Sequence, residues 1–206
     1  MTSKTLFSAT ALALGGLTVA ATPASEPGAA VWNVDAPHSH VSFRVKHFFT
    51  PVRGQFDVFE VELAYDRERP ENSTISVRIP ISSINTHNER RDQHLRSGDF
   101  FEAETHPYIT FTTESVRKVG ENELLVRGPL TIKGQTRTVE LPVTILGVMD
   151  VPADMQEMLG GVTEIASFQT KLSLDRRDFG VGVGNWAATM VVGGEVDIDI
   201  AVEANR

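Results

Sequence analysis

Apolar residues recur at every second position over most of this chain, and that alternation restricts the fold more than any other feature. An alternating run places one set of side chains on one face of a β-strand and the next set on the opposite face. Residues 41–46, 75–81, 139–145 and 196–202 all follow the pattern, and Gly, Pro, Asn and Asp separate the runs. The sequence predicts eight or nine strands, which are antiparallel because their connections are too short for crossover helices.

Antiparallel strands with one apolar face bury that face most economically in a sandwich or a closed barrel. No linker or internal repeat divides residues 31–206, so the sequence predicts one all-β domain there. An eight-stranded barrel has an interior that side chains fill or that holds one small ligand. The phenylalanines at one-face strand positions fit either interior, and the alternation alone does not choose between them.

Charge and cysteine content exclude several functional classes. The chain carries 19 Lys and Arg against 27 Asp and Glu, a net charge of −8. Attraction to nucleic-acid phosphates is therefore not expected, and we predict no nucleic-acid partner. Because the sequence contains no cysteine, disulfides, thiolate metal sites and cysteine nucleophiles are excluded. Any chemistry must use histidine, carboxylates, hydroxyl groups or apolar surface.

Residues 1–24 have the pattern of a secretory signal peptide. Lys4 precedes an apolar stretch that begins at Leu6, and small residues allow cleavage after Ala21 or after Ala24. A retained membrane anchor is the alternative, but this stretch is weakly apolar and shorter than the roughly 20 residues that a transmembrane helix needs. We therefore expect a periplasmic or secreted protein without a stable membrane anchor.

Two segments depart from the alternation. Residues 87–98 contain no β-branched residue and predict a short helix that Gly98 ends. Residues 152–161 predict a second short helix with two methionines before a glycine pair. The first helix could cover the mouth of a barrel as a cap, or its polar residues could contact the head group of a ligand. The residues that would tie down or plug such a cap are Arg91, Asp92, His94, Leu95, Phe100 and Phe101.

Histidines are the main candidates for metal or catalytic chemistry. His38 and His40 lie two residues apart on a predicted strand, so their side chains share a face and could share a metal ion, although no third ligand is evident. Asp92 and His94 lie two apart on a predicted helix and diverge, which disfavours a dyad. We predict no metal, no cofactor and no catalytic residue. The alternative is a periplasmic enzyme, or a metal or redox accessory protein, that uses His38, His40 or His94.

Five motifs along the chain resemble those of the YceI-like family. They occur in the family's order, and together they extend over most of the chain, roughly residues 31–202. The third of them is the most specific. The motifs are 32–39 (WNVDAPHS), 53–56 (RGQF), 91–101 (RDQHLRSGDFF), 128–134 (GPLTIKG) and 177–180 (RDFG).

This resemblance implies an eight-stranded, lipocalin-like antiparallel barrel with a short capping helical segment. It also implies a long apolar pore for a polyisoprenoid or similar long-chain amphiphile, quinone-type lipids included, which the protein transports or stores without converting it. A homodimer stays open. The methionine-rich segment 152–161 replaces a short loop of the family, so we expect that end of the pore to be shaped or gated differently. Met155, Met158 and Met190 are expected to adapt to a methyl-branched chain.

The alternation then assigns candidate ligand-binding residues, each of which fits an ordinary core position equally well. The predicted pore wall comprises Phe43, Val45, Phe56, Val58, Ile79, Ile81, Phe111, Leu130, Ile132 and Phe168. Near the cap we expect Leu95, Phe100, Phe101 and Phe179. The candidates for contact with a polar head group are His47, Arg91 and His94.

Overall fold

The fold is built almost entirely of β-strands. The computed structural model describes residues 29–188 and 190–206, so the signal peptide predicted over residues 1–24 lies outside the described residues. The strands are β1 (Ala30–His47), β2 (Thr50–Phe56), β3 (Glu60–Tyr65), β4 (Thr74–Pro80), β5 (Ile84–Asn85), β6 (Tyr108–Thr112), β7 (Ser115–Lys118), β8 (Glu123–Ile132), β9 (Gln135–Asp150), β10 (Glu164–Asp175) and β11 (Val192–Asn205). The α-helices are α1 (Glu89–Arg96) and α2 (Ala153–Gln156). Short 3-10 turns occupy Pro70–Asn72, Ile81–Ser83, Arg176–Phe179 and Gly184–Trp186.

Eight of these strands close into a barrel. They pair in the order β1, β3, β4, β6, β8, β9, β10 and β11, every pair is antiparallel, and β11 pairs back with β1. The three remaining strands extend this barrel: β2 pairs with β1, β5 with β2, and β7 with β8. The predicted all-β fold, an eight-stranded antiparallel barrel with a short capping helical segment, is confirmed.

The first strand contacts three others. Its start pairs with β3, its second half pairs with β2, and most of its length pairs with β11. The β1–β11 register shifts between Asp35 and His40, where four residues of β1 face one residue of β11. Pro37 lies in this bulge, which suits a residue that has no N–H to donate to a neighbouring strand.

Alternation along β1 decides which side chains enter the barrel. Phe43 and Val45 face the interior, whereas Arg44 and Lys46 are exposed. Gly54 of β2 lies directly opposite Phe43, and a Cβ atom at this glycine would stand only 2.4 Å from the Phe43 ring. A glycine is therefore required here so that the phenyl ring can lie over the neighbouring strand.

An aromatic cluster fills one end of the barrel. The Trp32 and Tyr65 rings meet edge to face with centroids 5.9 Å apart, and the Trp32 Nε1–H donates a 3.1 Å hydrogen bond to the Tyr65 carbonyl oxygen. Phe168 of β10 packs against Tyr65 at 5.0 Å. Because Ala166 and Ala204 beside them are fully buried, small residues leave the space that these three large rings occupy.

Helix α1 is anchored at the opposite end. The Asn88 side chain caps it by accepting a hydrogen bond from the Arg91 N–H at 3.0 Å. The buried Asp92 carboxylate accepts hydrogen bonds from the Thr86 N–H and hydroxyl group, and Arg91 donates to the Thr86 hydroxyl oxygen and carbonyl oxygen, each at 2.7 Å. The helix ends at Arg96, and its C-cap residue is Ser97, one residue before the predicted Gly98. These bonds hold α1 over the barrel, as the cap interpretation predicts.

The methionine-rich segment forms only the short helix α2. The side chains of Met155 and Met158 are exposed, at 41% and 74%, and Met190 is exposed at 76%. The expectation that these methionines adapt to a ligand inside the pore is therefore wrong, because none of the three lines the interior. Within the described residues, neither α1 nor α2 has the length and apolar composition to cross a membrane.

Candidate functional site

The interior of the barrel is hollow. A cavity of about 290 Å³ extends from Tyr65 and Phe168 at one end to Phe100 and Phe179 beneath the cap. All eight barrel strands contribute side chains to its wall. The volume lies at the lower end of the range for small-molecule sites, which are concave, mostly apolar and largely preformed. Of the two interiors that the alternation left open, the structure has the one with room for a ligand.

The cavity wall is almost entirely hydrocarbon. Among the described residues that line it, only Tyr65 and Arg176 are titratable. Burial raises the pKa of the Tyr65 hydroxyl, so this group stays neutral at physiological pH. Neither residue faces a carboxylate or a histidine within the lining, so the wall offers no acid–base pair for catalysis.

Most of the apolar residues predicted for the pore do line this cavity. Twelve of the fourteen face it: Phe43, Val45, Phe56, Ile79, Leu95, Phe100, Phe101, Phe111, Leu130, Ile132, Phe168 and Phe179. Their position follows from strand alternation and from the docking of the segment after α1. Contact with a ligand stays a prediction for each of them.

Two predicted wall residues lie elsewhere. Val58 is 51% exposed in the connection between β2 and β3, because β2 ends at Phe56 and the chain turns before β3 begins. Phe59 takes the inward position instead. Ile81 is only 1% exposed, but it lies in the 3-10 turn after β4 and packs into the core around Ile84 rather than against the cavity.

Apart from Phe168, the prediction missed the wall that the last three barrel strands supply. These strands alternate as clearly as β1, so the same pattern could have identified the inward residues. They are Leu141 and Val143 on β9, Leu172 and Leu174 on β10, and Val196, Ile198, Ile200 and Val202 on β11.

The three predicted head-group residues do not line the cavity. His47 is exposed at the end of β1, with its ring 4.8 Å from that of Phe48. Arg91 is bound to Thr86, as described above. The His94 ring packs against Phe100 on the outer side of the cap. The alternation misplaced His47 because the register of β1 against β11 shifts between Val45 and His47. Arg91 and His94 are oriented by the contacts of α1 with Thr86, Asp99 and Trp186, which no residue pattern signals.

A buried guanidinium group borders the cavity instead. Arg176 is 7% exposed and donates hydrogen bonds to five backbone carbonyl oxygens. These oxygens belong to Val181, Gly182, Trp186, Val192 and Gly193. A planar guanidinium with five N–H groups can satisfy such an arrangement, which a lysine ammonium cannot. Arg176 thus fastens the loop between β10 and β11 to the mouth of the barrel.

Two threonines of the cavity wall differ in their hydrogen bonding. Thr113 Oγ1 accepts from the Ile75 N–H at 3.0 Å and donates to the Ile75 carbonyl oxygen at 3.1 Å. Thr170 is 8% exposed, and its Oγ1 has no hydrogen-bond partner among the described residues. Thr170 is therefore a buried polar group of the wall that the described residues leave unsatisfied.

His94 belongs to a cluster at the cap surface. Its Nε2 lies 2.9 Å from Asp99 Oδ2, and the Trp186 Nε1–H donates to the same carboxylate at 3.3 Å. The hydrogen bond with His94, followed by the one from Trp186, lowers the pKa of the Asp99 carboxyl. The rings of Phe100 and Trp186 each lie 5.0 Å from the His94 ring. This cluster links the cap to the β10–β11 loop.

His38 and His40 have separate partners. His38 Nδ1 lies 2.9 Å from Asp35 Oδ2 and 4.0 Å from Glu203 Oε1, and the hydrogen bond with Asp35 raises the pKa of His38. His40 Nε2 lies 3.9 Å from Asp199 Oδ1. The bulge in β1 separates the two surroundings, so the expectation of a metal ion shared by both histidines has no support from their placement. Asp35, His38 and Glu203 together form an ion-pair cluster that fixes the bulge at the surface.

Motifs that are distant in the sequence meet at the cap. Lys133 Nζ donates to the Gly98 carbonyl oxygen at 3.1 Å. Gly134 has a φ of +69°, and a Cβ atom there would lie 2.7 Å from the His106 ring. A Cβ at Gly182 would contact both Arg176 and Phe100 at less than 3.0 Å. Gly134 and Gly182 therefore allow the cap, the β8–β9 turn and the β10–β11 loop to pack closely.

Comparisons with known proteins agree with this architecture. The profile of the YceI-like domain family matches residues 32–204. Protein YceI of Escherichia coli O157:H7 is 33% identical over 170 residues, which cover 82% of each chain. A UPF0312 protein of Pectobacterium carotovorum is 30% identical over 207 residues, which cover 100% of this chain and 99% of the relative.

Two solved structures share the barrel. The crystal structure of BcnA from Burkholderia cenocepacia has a TM-score of 0.73 and 28% identity, and the match covers 83% of this chain and 99% of BcnA. A polyisoprenoid binding domain from Saccharophagus degradans, implicated in plant cell wall breakdown, has a TM-score of 0.61 and 17% identity over 86% of this chain and 98% of that domain. At that identity the second similarity establishes the fold alone.

Proposed function

This chain belongs to the YceI-like family, and we propose that its cavity binds one polyisoprenoid or similar long-chain amphiphile without converting it. The observation that carries the proposal is the continuous apolar wall from Tyr65 to Phe179. A prenyl chain has no hydrogen-bonding groups along its length, so its site needs apolar area and shape rather than a catalytic constellation. The polyisoprenoid binding described for the Saccharophagus degradans domain supports the same ligand class.

The energetics of burial are sufficient for such binding. Each methylene-sized group removed from water contributes about 0.8 kcal/mol. Burial of three or four isoprene units would therefore contribute on the order of 12–16 kcal/mol before the costs of ordering are subtracted. Association and the loss of chain flexibility cost about 4–15 kcal/mol. Micromolar affinity corresponds to about 8 kcal/mol, which a chain of four units reaches when that cost does not exceed about 8 kcal/mol. Quinone-type lipids with an isoprenoid tail fit the same description.

The physiological role that we propose is transport or storage outside the cytoplasm. A hydrocarbon chain that is insoluble in water needs a carrier wherever it leaves a membrane. The proposed export of the protein rests on the leader pattern in residues 1–24. A binder is favoured over an enzyme because His38, His40 and His94 all lie outside the cavity wall.

Native mass spectrometry of the protein purified from cells tests the proposal. The wild type is expected to carry a lipid of a few hundred daltons or more. Phe111→Asp should lose this lipid, because the carboxylate would stand in the apolar wall where Phe111 is 5% exposed. Leu146→Asp is the matched control, since Leu146 is 57% exposed.

A buried carboxylate can unfold a barrel, so a second variant keeps the test decisive. Val143→Trp adds hydrocarbon to a half-buried position of the wall and reduces the space for a ligand without burying a charge. Circular dichroism monitors the fold of each variant. If the folded Phe111→Asp and Val143→Trp proteins both retain the wild-type amount of lipid, the cavity is not the binding site. Turnover of the bound lipid by the wild type would contradict a purely binding function.

A further inference from the structure

The turn between β1 and β2 exposes two aromatic side chains. Phe48 and Phe49 form its tip, and they are 50% and 95% exposed. Two-residue hairpin turns favour Asn and Gly, which tolerate positive φ angles. Phe48 adopts a φ of +51°, a conformation that is unfavourable for a bulky side chain. Folding of the hairpin therefore does not explain why phenylalanine occupies these positions.

A third exposed apolar residue belongs to the neighbouring segment. The Phe48 N–H donates a 2.9 Å hydrogen bond to the Val191 carbonyl oxygen, which joins the turn to the chain just before β11. Met190, the residue before Val191, is 76% exposed. We call Phe48, Phe49 and Met190 the apolar tip.

The hairpin that ends in this tip is basic in an otherwise acidic protein. The chain has a net charge of −8, but the hairpin residues 41–56 contain Arg44, Lys46 and Arg53 and no carboxylate. All three cations are exposed. Asp197 of β11 pairs with Arg44 at 2.7 Å, and the pKa of its carboxyl is lowered by this hydrogen bond and to a smaller extent by the charge of Lys46. The cations of the hairpin itself therefore complement an anionic surface, whereas the net negative charge of the whole protein would be repelled by it.

The apolar tip lies at one end of the cavity. Val45, two residues before the end of β1, lines the cavity, and so does Val192, which pairs with His47. The same end contains the β10–β11 loop that Arg176 fastens to the barrel. A lipid surface held against the tip would consequently stand next to the cavity end formed by Val45 and Val192.

We propose that the apolar tip inserts into the headgroup region of an anionic phospholipid bilayer and positions this end of the cavity for exchange of its ligand with the membrane. The proposal rests on the proposed lipid-binding function for its purpose. Aromatic side chains are favoured at the interface between headgroups and acyl chains, and basic residues beside them are attracted to anionic lipids. A single short tip gives reversible attachment, which suits a protein that must also leave the membrane.

Flotation with lipid vesicles tests this proposal. The wild type is expected to float with vesicles of phosphatidylcholine and phosphatidylglycerol more than with vesicles of phosphatidylcholine alone. The double variant Phe48→Ser/Phe49→Ser should bind the mixed vesicles about tenfold more weakly or worse, because it loses the inserted aromatic area. Lys46→Gln should weaken that binding about fivefold and leave binding to neutral vesicles unchanged.

Met158→Ser is the matched control. Met158 is 74% exposed in the segment between β9 and β10, at the barrel end opposite the apolar tip. The Met158→Ser variant should float with the mixed vesicles as the wild type does. Absence of wild-type flotation with mixed vesicles, or an equal loss in Met158→Ser, would overturn the proposal. A further outcome is that neither form floats and that sedimentation velocity shows a dimer for the wild type but a monomer for the double variant. In that case the tip contacts a second copy of this chain and the proposal is wrong.

A separate measurement distinguishes docking from ligand binding. Uptake of a fluorescent polyprenyl lipid from solution, without vesicles, reports on the cavity alone. The double variant should take up this probe as the wild type does while it stays off vesicles, which would support docking through the tip. If the wild type floats but takes up no probe, the proposed lipid-binding function fails and the membrane contact stands on its own. If the double variant loses probe uptake and flotation together, the tip is part of the cavity and the docking proposal is overturned.

Discussion

Replacement of Thr170 by valine tests whether the wall of the cavity is apolar at mid-barrel. Thr170 lies on β10 between its cross-strand partners Val143 and Ile200, which also line the cavity. Its Oγ1 has no hydrogen-bond partner among the described residues. Valine has the same shape as threonine and carries a methyl group in place of the hydroxyl group, so the substitution removes only this unpaired polar group.

The expected effect is stabilisation. A buried polar group without a partner costs about 1–3 kcal/mol. We therefore expect Thr170→Val to raise the free energy of unfolding by roughly 1.5 kcal/mol. For a domain of this size the midpoint of thermal unfolding should rise by about 3–6 °C. Calorimetry and urea denaturation of protein from which lipid has been removed would measure both quantities.

Thr113→Val provides a control of opposite sign. Thr113 also lines the cavity, but its hydroxyl group accepts from the Ile75 N–H and donates to the Ile75 carbonyl oxygen. Valine there would leave these groups without their partner and should destabilise the fold by about 1–3 kcal/mol. If Thr170→Val is destabilising as well, its hydroxyl group has a partner in solution and the inference of an apolar wall at this depth is refuted.

Two further predictions concern the mouth of the barrel. Arg176→Lys should lower the free energy of unfolding by about 2–3 kcal/mol, because an ammonium group cannot reach five carbonyl oxygens. Amide hydrogen exchange should accelerate in residues 181–193. Unchanged exchange there would contradict the role of Arg176 in fastening the β10–β11 loop. The hydrogen bonds from Arg177 lower the pKa of Asp175 to about 2, so this carboxylate stabilises the fold above its normal pKa and ceases to do so as the pH falls through about 2. Asp175→Asn should therefore reduce the free energy of unfolding at pH 7 by up to about 1 kcal/mol, as expected for a surface pair. Denaturation curves of the variant and the wild type should converge near pH 2. A difference in free energy of unfolding that does not depend on pH would exclude this linkage.

Strand alternation predicted antiparallel strands in a sandwich or a barrel, because a two-residue period specifies which face of each strand is buried, and the resemblance to the YceI-like family implied the eight-stranded barrel. The strands around Val41, Ile75 and Val139 form as expected, and each contributes to the interior. The closure of β11 onto β1 could not be read from the pattern, since it depends on which strands become neighbours. Whether the interior is filled or hollow also depends on barrel geometry, which residue type does not determine.

The candidate site was predictable only where the strands are regular. Phe111 and Phe168 lie in uninterrupted strands and face the cavity as predicted. Val58 was misplaced because the chain leaves the sheet after Phe56, which shifts the inward position to Phe59. Arg176 was missed because its role depends on backbone carbonyl groups of the loop that follows it, and no side-chain pattern signals them.

The pairing of the first strand with the last has a consequence for how the molecule reaches its native state. Asn33 pairs with Asn205, so the seam of the barrel joins residues from nearly opposite ends of the described chain. Contacts between such distant positions raise the contact order and slow folding. The hollow interior cannot be sealed before β11 has emerged and docked, so a partly synthesised chain has an open, grooved sheet rather than a compartment. A ligand can therefore be enclosed only after, or together with, this final closure.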